Sequence, residues 1–217
     1  MDRTLRVTGK GSLSIAPDTI ELLITLDGKD FQYEKALELS AKTTSALRAA
    51  LEDAGFDGKE LKTTSFNVNT EYESYQDENR NYCSRFAGYS FYHGMKISFA
   101  ADNSLLGKAL AAVSSCGANP RFEINYTVKD KESAKNELLK KAVADSKEKA
   151  ELLAEAAGVK LKEIASIDYS WGSIEILSRP VTMKAAPLMA KAAAPEMDIE
   201  PENIDVSDTV TVVWKLD

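Results

Sequence analysis

The sequence contains one histidine, two cysteines and no long hydrophobic run, and each shortage argues against a class of site or protein. His93 is the only histidine, and Cys83 and Cys116 form one disulfide at most. Zinc needs three or four nitrogen or sulfur ligands, so a specific zinc site is not expected. Residues 104–118 form the longest apolar stretch, and Lys108 interrupts it. A membrane-spanning helix needs about 20 such residues, so no span is predicted.

The charge balance bears on the partners of the protein. There are 27 lysines and arginines against 34 aspartates and glutamates, which gives a net charge of -7. A negative chain repels the phosphate backbone that supplies most non-specific nucleic-acid affinity, so we expect no nucleic-acid partner. Nor does any pattern of residues indicate a cofactor.

The N-terminal residues are informative about the compartment. They enter an alternating strand directly, without the charged and apolar regions of an export signal. The sequence as given therefore predicts a cytoplasmic protein. The alternative is a periplasmic or cell-envelope protein from which a leader was removed.

Alternating and helical patterns together predict an α+β fold. About seven strands with one apolar and one polar face indicate a mostly antiparallel sheet, covered on one face by two long helices and one short helix. The first two strands are expected to form a hairpin at Pro17-Asp18, and one βαβ unit around the short helix is compatible with a parallel pair. Asp30, Asp102 (or Asn103) and Asp130 are the predicted helix N-caps, and Gly55 and Gly158 the left-handed helix ends.

The chain is predicted to be a single domain over residues 1–217. Within it, residues 179–203 are an irregular segment rich in alanine, methionine and proline, and residues 206–216 form a C-terminal strand. The order strand, Lys-Asp, long helix, glycine, strand occurs at residues 29–68 and again at 129–169, so an internal α-β duplication is plausible.

Potential catalytic groups have simpler structural explanations. By alternation His93 shares a face with Phe91 and Met95, which favours a packed, hydrogen-bonded histidine over a catalytic one. No serine lies in a GxSxG turn. Gly9-Lys10-Gly11 lacks the spacing of a phosphate loop, and glycines inside a strand more often mark a bulge or a closely packed neighbour. No catalytic, cofactor-binding or metal-binding residue is therefore predicted.

Aromatic residues and methionines supply candidate interface positions instead. Seven of the chain's phenylalanines and tyrosines lie between residues 72 and 92, around a polar connection from Glu73 to Ser84 that is predicted to be flexible. Amphipathic rings are common at interfaces, and flexible methionine-rich segments suit protein contacts. The candidate interface residues are Tyr75, Tyr82, Phe86, Met183, Met189 and Met197.

The order and spacing of several short motifs resemble the SIMPL domain family, named for a signalling molecule that associates with a pelle-like kinase. The matching residues cover nearly the whole chain. They are Val7-Thr8-Gly9-Lys10-Gly11 with Pro17-Asp18, Gly55-Phe56 leading into Thr63–Val68, Gly88-Tyr89, Gly158-Val159, Ile199-Glu200-Pro201, Val206 and Val210-Thr211-Val212.

The resemblance implies an α+β fold of uncharacterised function, large homo-oligomers in bacterial members, an envelope setting for many of them and roles in stress tolerance. It provides no catalytic residues. We therefore expect a non-enzymatic bacterial protein that self-assembles. The alternatives are an adaptor that binds a different protein through the same segments, and an enzyme whose pocket converges on His93, Arg85 or the carboxylates.

Overall fold

The computed structural model describes residues 3–169, 176–178, 181–183 and 199–217, with only the backbone of 181–183. Within these residues it contains eight strands, three α-helices and a short 3-10 helix at Gly58–Glu60, which confirms the α+β prediction. The strands are β1 Thr4–Ile15, β2 Thr19–Asp30, β3 Lys62–Gln76, β4 Tyr82–Ala100, β5 Arg121–Thr127, β6 Leu161–Asp168, β7 Val181–Met183 and β8 Ile204–Leu216. The helices are α1 Tyr33–Asp53, α2 Asn103–Ser115 and α3 Lys131–Ala156.

The chain divides into two compact units. Unit 1 takes residues 1–17, 127–178 and 201–217, and unit 2 takes residues 18–126 and 179–200. Each unit has its own sheet, so the chain has two sheets in its described residues, whereas the sequence analysis predicted a single sheet. The assignment of residues 1–217 to a single domain, and the duplication, stay predictions.

Unit 1 is a three-stranded antiparallel sheet of order β1-β8-β6 on which α3 packs. Its core is formed by Val7, Val210, Val212 and Trp214 of the sheet together with small residues of the helix. The C-terminal strand predicted at 206–216 is β8, which begins two residues earlier.

Two glycines of β1 allow the helix to cross the sheet at very short distance. A Cβ atom at Gly9 would lie 2.0 Å from the carbonyl oxygen of Ala142, and one at Gly11 would lie 2.1 Å from that of Leu138. The prediction that these glycines mark a closely packed backbone is confirmed.

Unit 2 is a five-stranded sheet of order β3-β4-β2-β5-β7, with α1 and α2 packed against it. The predicted hairpin between the first two strands is wrong, because β1 pairs with β8 and β2 pairs with β4. Strands β4 and β5, which flank α2, are not neighbours, since β2 lies between them. Alternation identified the longer strands but carried no information about their partners, and it did not indicate β7, which lies within the segment 179–203 that was predicted to be irregular.

The predicted N-cap is correct for two of the three α-helices. The side chains of Asp102 and Asp130 accept hydrogen bonds from the backbone N–H groups of Leu105 and Ser133. Asp30 is not the N-cap of α1, because β2 runs through this residue and the helix begins three residues later.

Gly55 and Gly158 end the two long helices in the left-handed conformation, with φ of +94° and +67°, as predicted. A Cβ atom at either position would meet no heavy atom within 4 Å. We therefore expect Gly158→Ala to lower the free energy of unfolding by about 1 kcal/mol through backbone strain alone. Urea unfolding tests this, with Gly158→Asn as the control, since asparagine tolerates this conformation and should cost less. Equal losses in both variants would contradict the explanation.

Candidate interaction surface

Strands β3 and β4 extend beyond the rest of their sheet as a two-stranded ribbon. Strand β2 pairs with β4 only as far as Tyr89, whereas residues 71–76 of β3 continue to pair with residues 82–88 of β4. The predicted flexible connection from Glu73 to Ser84 is therefore mostly regular strand. Cross-strand contacts support it: Arg85 forms an ion pair of 2.5 Å with Glu73 and lies over the ring of Tyr75.

A side-chain hydrogen-bond network orders the tip of the ribbon. The carboxylate of Asp77 accepts hydrogen bonds from the backbone N–H groups of Asn79 and Asn81, at 2.9 and 2.8 Å, and from the amide of Asn81. These bonds lower the pKa of Asp77. Arg80 completes the turn with a φ of +62°. The Asp-x-Asn spacing, which is typical of such turns, was the signal that could have indicated an ordered tip.

Phe86 lies at the centre of an aromatic cluster at the base of the ribbon. Its ring packs edge-to-face against Phe31, Tyr72 and Tyr89, with centroids 5.5, 6.1 and 5.3 Å away. Tyr33, the first residue of α1, packs against Tyr89 in turn. Phe86 is half-buried by these contacts.

One face of the ribbon carries large exposed rings. Tyr82 is 82% exposed, Phe31 67% and Tyr72 64%. Cross-strand register places Tyr72, Tyr82 and Phe86 on this face, and Phe31 joins it through its contact with Phe86. These four residues are called the aromatic surface below. The face continues the apolar side of the sheet past the start of α1.

Phe31 was missed by the sequence analysis because it belongs to the connection between β2 and α1. Tyr75 lies on the opposite face of the ribbon, beneath Arg85, and its place in an interface stays a prediction. The backbone of Met183 lies in β7, where it pairs with Phe122. Met189 and Met197 lie outside the described residues, so the methionine positions also stay predictions.

His93 bridges three elements of unit 2 through its ring. Its Nδ1 atom lies 3.0 Å from the hydroxyl of Thr44 on α1, and its Nε2 atom lies 2.9 Å from the hydroxyl of Thr63 on β3. The ring of Phe66 packs edge-on at 5.2 Å. Burial lowers the pKa of His93 below 6.5. The histidine is packed and hydrogen-bonded, as its strand position predicts.

A pH dependence of stability follows from this environment. Because the pKa of His93 is lower in the folded state, the unfolded chain binds the proton more strongly. The free energy of unfolding therefore decreases as the pH falls through about 6.5. The decrease ends once the pH is below the pKa of His93 in the folded state. We expect His93→Gln to flatten the stability profile between about pH 7.5 and 5.5 in urea unfolding. An identical slope in the variant and the natural chain would contradict the expectation.

The groups considered for catalysis do not converge. Arg85 lies on the ribbon beside Glu73, while His93 is eight residues further along β4, roughly 27 Å away at the rise of an extended strand. The described part of the chain contains no group of three or more His, Cys, Asp or Glu residues suited to a metal ion. Cys83 and Cys116 are both free thiols.

None of the described helices combines the length and the apolar character needed to cross a bilayer. The most apolar helix, α2, has 13 residues.

Comparison with known proteins identifies a family that covers nearly the whole chain and relatives that cover 81% of it. The SIMPL family, described as a protein of unknown function (DUF541), matches residues 5–214. The 26 kDa periplasmic immunogenic protein of Brucella melitensis biotype 1 is 26% identical over 176 residues, which cover 81% of this chain and 67% of the relative. The protein of the same name from Brucella abortus matches over the same shares of both chains.

Among solved structures, the regulatory subunit of aspartate kinase from Thermus flavus aligns with 97% of this chain and 89% of its own, at 11% identity and a TM-score of 0.19. That score carries no argument about fold or function. The cytoplasmic prediction finds no support in these comparisons, since the Brucella relatives are named as periplasmic. The match over residues 5–214 shows that this chain belongs to the SIMPL family.

Proposed function

We propose that this protein is a non-enzymatic, self-assembling SIMPL protein of the periplasm, whose copies associate through the aromatic surface. The observation that carries the proposal is the exposure of Tyr72 and Tyr82 on one face of the strand ribbon, together with that of Phe31 at its base. The periplasmic setting is supported by the names of the Brucella relatives. Stress tolerance is the physiological context that the family resemblance implies.

Physical chemistry favours a partner for this face. Large contiguous apolar patches are uncommon on monomers, and tyrosine and phenylalanine are enriched where interfaces bury their centres. The ribbon is held rigid by its paired strands and by the Asp77 turn, so little conformational entropy is lost when its rings are covered.

The charge of the chain adds a second expectation. Each copy carries a net charge of -7, so copies repel one another at low ionic strength. Salt screens this repulsion over distances of about 10 Å at 0.1 M. An assembly held by aromatic contacts should therefore strengthen as salt is added.

The test compares substitutions on the two faces of the ribbon. We expect Tyr72→Ser with Tyr82→Ser to raise the dissociation constant of the assembly about 100-fold, since buried aromatic anchors dominate binding energy. Tyr75→Ser is the matched control, because it removes a ring from the opposite face and should have a much smaller effect. Light scattering gives the masses, and far-UV circular dichroism shows that each variant is folded. An unchanged assembly in the double variant would contradict the proposal.

A further inference from the structure

Strand β3 presents a long edge that nothing covers in the described part of the chain. It is the outermost strand of the five-stranded sheet, and its 15 residues pair only with β4. Every residue of the strand except Val68 and Glu71 is exposed. A strand edge of this kind offers a row of N–H and C=O groups to a second strand.

The edge carries few of the features that usually prevent such pairing: one lysine at its start, Lys62, and one bulge, at Thr64. Natural edges are blunted by lysine, proline or short length. Between Thr63 and Gln76 there is no lysine, arginine or proline. By contrast, β7 at the other side of the sheet has three residues, and the edge strand β1 of unit 1 carries Arg6 and Lys10.

We propose that two copies of this chain pair β3 with β3 in antiparallel fashion about a two-fold axis at Asn67, so that two five-stranded sheets become one. The inference rests on the proposed self-assembly and specifies its contact. A two-fold axis makes such an interface self-complementary. Strand pairing also requires that residues facing each other lie on the same side of the sheet, and this restricts the possible registers.

The register centred on Asn67 matches the side chains on the inner face. Phe66, which is 45% exposed, comes opposite the partner's Val68, and the same pair repeats across the axis. Thr64 is the extra residue of a bulge and takes no position in the register. Thr63 therefore comes opposite the partner's Thr70. Aromatic with β-branched pairs and threonine pairs are both favourable across strands.

The outer face is matched by charge and hydrogen bonding. The bulge brings Lys62 opposite the partner's Glu71, again twice. Lys62 has no ion-pair partner among the described residues, and Glu71 uses one carboxylate oxygen to accept a hydrogen bond from Ser90 at 2.5 Å. Asn67 meets its own copy on the axis, where two amides can exchange hydrogen bonds. No like charges face each other across the proposed interface.

This arrangement is continuous with the aromatic surface. The paired segment covers residues 62–71 of each copy, so each ribbon continues past the start of the partner's β3. Tyr72, the residue after the paired segment, then lies beside the end of the partner's β3, where covering its ring removes apolar area from water.

A disulfide cross-link tests the register directly. In a chain with Cys83→Ser and Cys116→Ser, we expect Asn67→Cys to form a covalent dimer under mild oxidation, because the two copies of this residue face each other within disulfide range. Asn69→Cys is the matched control: it lies on the same face and is equally exposed, but its copies are roughly 13 Å apart, too far for a disulfide.

Charge reversal provides the second test. Lys62→Glu places two pairs of carboxylates opposite each other and should weaken the dimer about tenfold, and adding Glu71→Lys should restore it. An assembly in which Asn67→Cys does not cross-link, or Asn69→Cys cross-links equally, overturns the β3 pairing while leaving the proposed function in place. A natural chain that is monomeric by light scattering overturns both.

Discussion

Gly9→Ala is expected to lower the free energy of unfolding by about 3 kcal/mol. The new methyl group would lie 2.0 Å from the carbonyl oxygen of Ala142 and 2.5 Å from the backbone nitrogen of Ser146. Both are main-chain atoms of α3, so they cannot move aside as a side chain can. The helix must lift from β1, which opens the packing of Val7 and Val212.

Urea unfolding followed by circular dichroism measures this loss. Ser12→Ala is the control, because Ser12 lies on the same strand with its side chain exposed and should change stability by less than about 0.5 kcal/mol. A Gly9→Ala chain as stable as the natural one would show that α3 does not cross β1 at this distance.

Phe91→Ala is expected to cost about 3–5 kcal/mol in unit 2. The ring is fully buried between the sheet and its helices, and Gly28 on the neighbouring strand makes room for it: a Cβ atom there would lie 2.6 Å from the ring. Truncation leaves a cavity whose walls are strands and cannot collapse easily.

The neighbouring residue supplies the comparison for this second prediction. Tyr92 is 42% exposed on the other face of β4, so Tyr92→Ala should cost below about 1 kcal/mol. Thermal or urea unfolding of both variants decides the matter. Similar losses for the two would mean that Phe91 does not occupy a core position.

Local features of the fold could be predicted from the sequence because they depend on neighbouring residues. Alternation identified the long strands, Asp102 and Asp130 signalled helix starts, and Gly55 and Gly158 signalled helix ends. The division into two sheets could not be predicted, because it depends on which strands pair. Strand β1 pairs with β8, some two hundred residues away, and no periodicity records that choice.

The interaction surface was predictable in part for the same reason. A cluster of rings near a polar turn identified Tyr75, Tyr82 and Phe86 as candidates. The division of these residues between two faces depends on a bulge at Ala87, where the pairing of β3 with β4 skips one residue. Phe31 joins the surface through a contact across 55 positions of sequence, which no local pattern reveals.

The central claim, that copies of this chain associate, is tested most directly by light-scattering mass of the purified full-length protein over a range of concentration and salt. The account predicts a discrete assembly whose mass is an even multiple of 23.7 kDa and which grows more stable as salt is added. A particle of 23.7 kDa at every concentration and salt would contradict it.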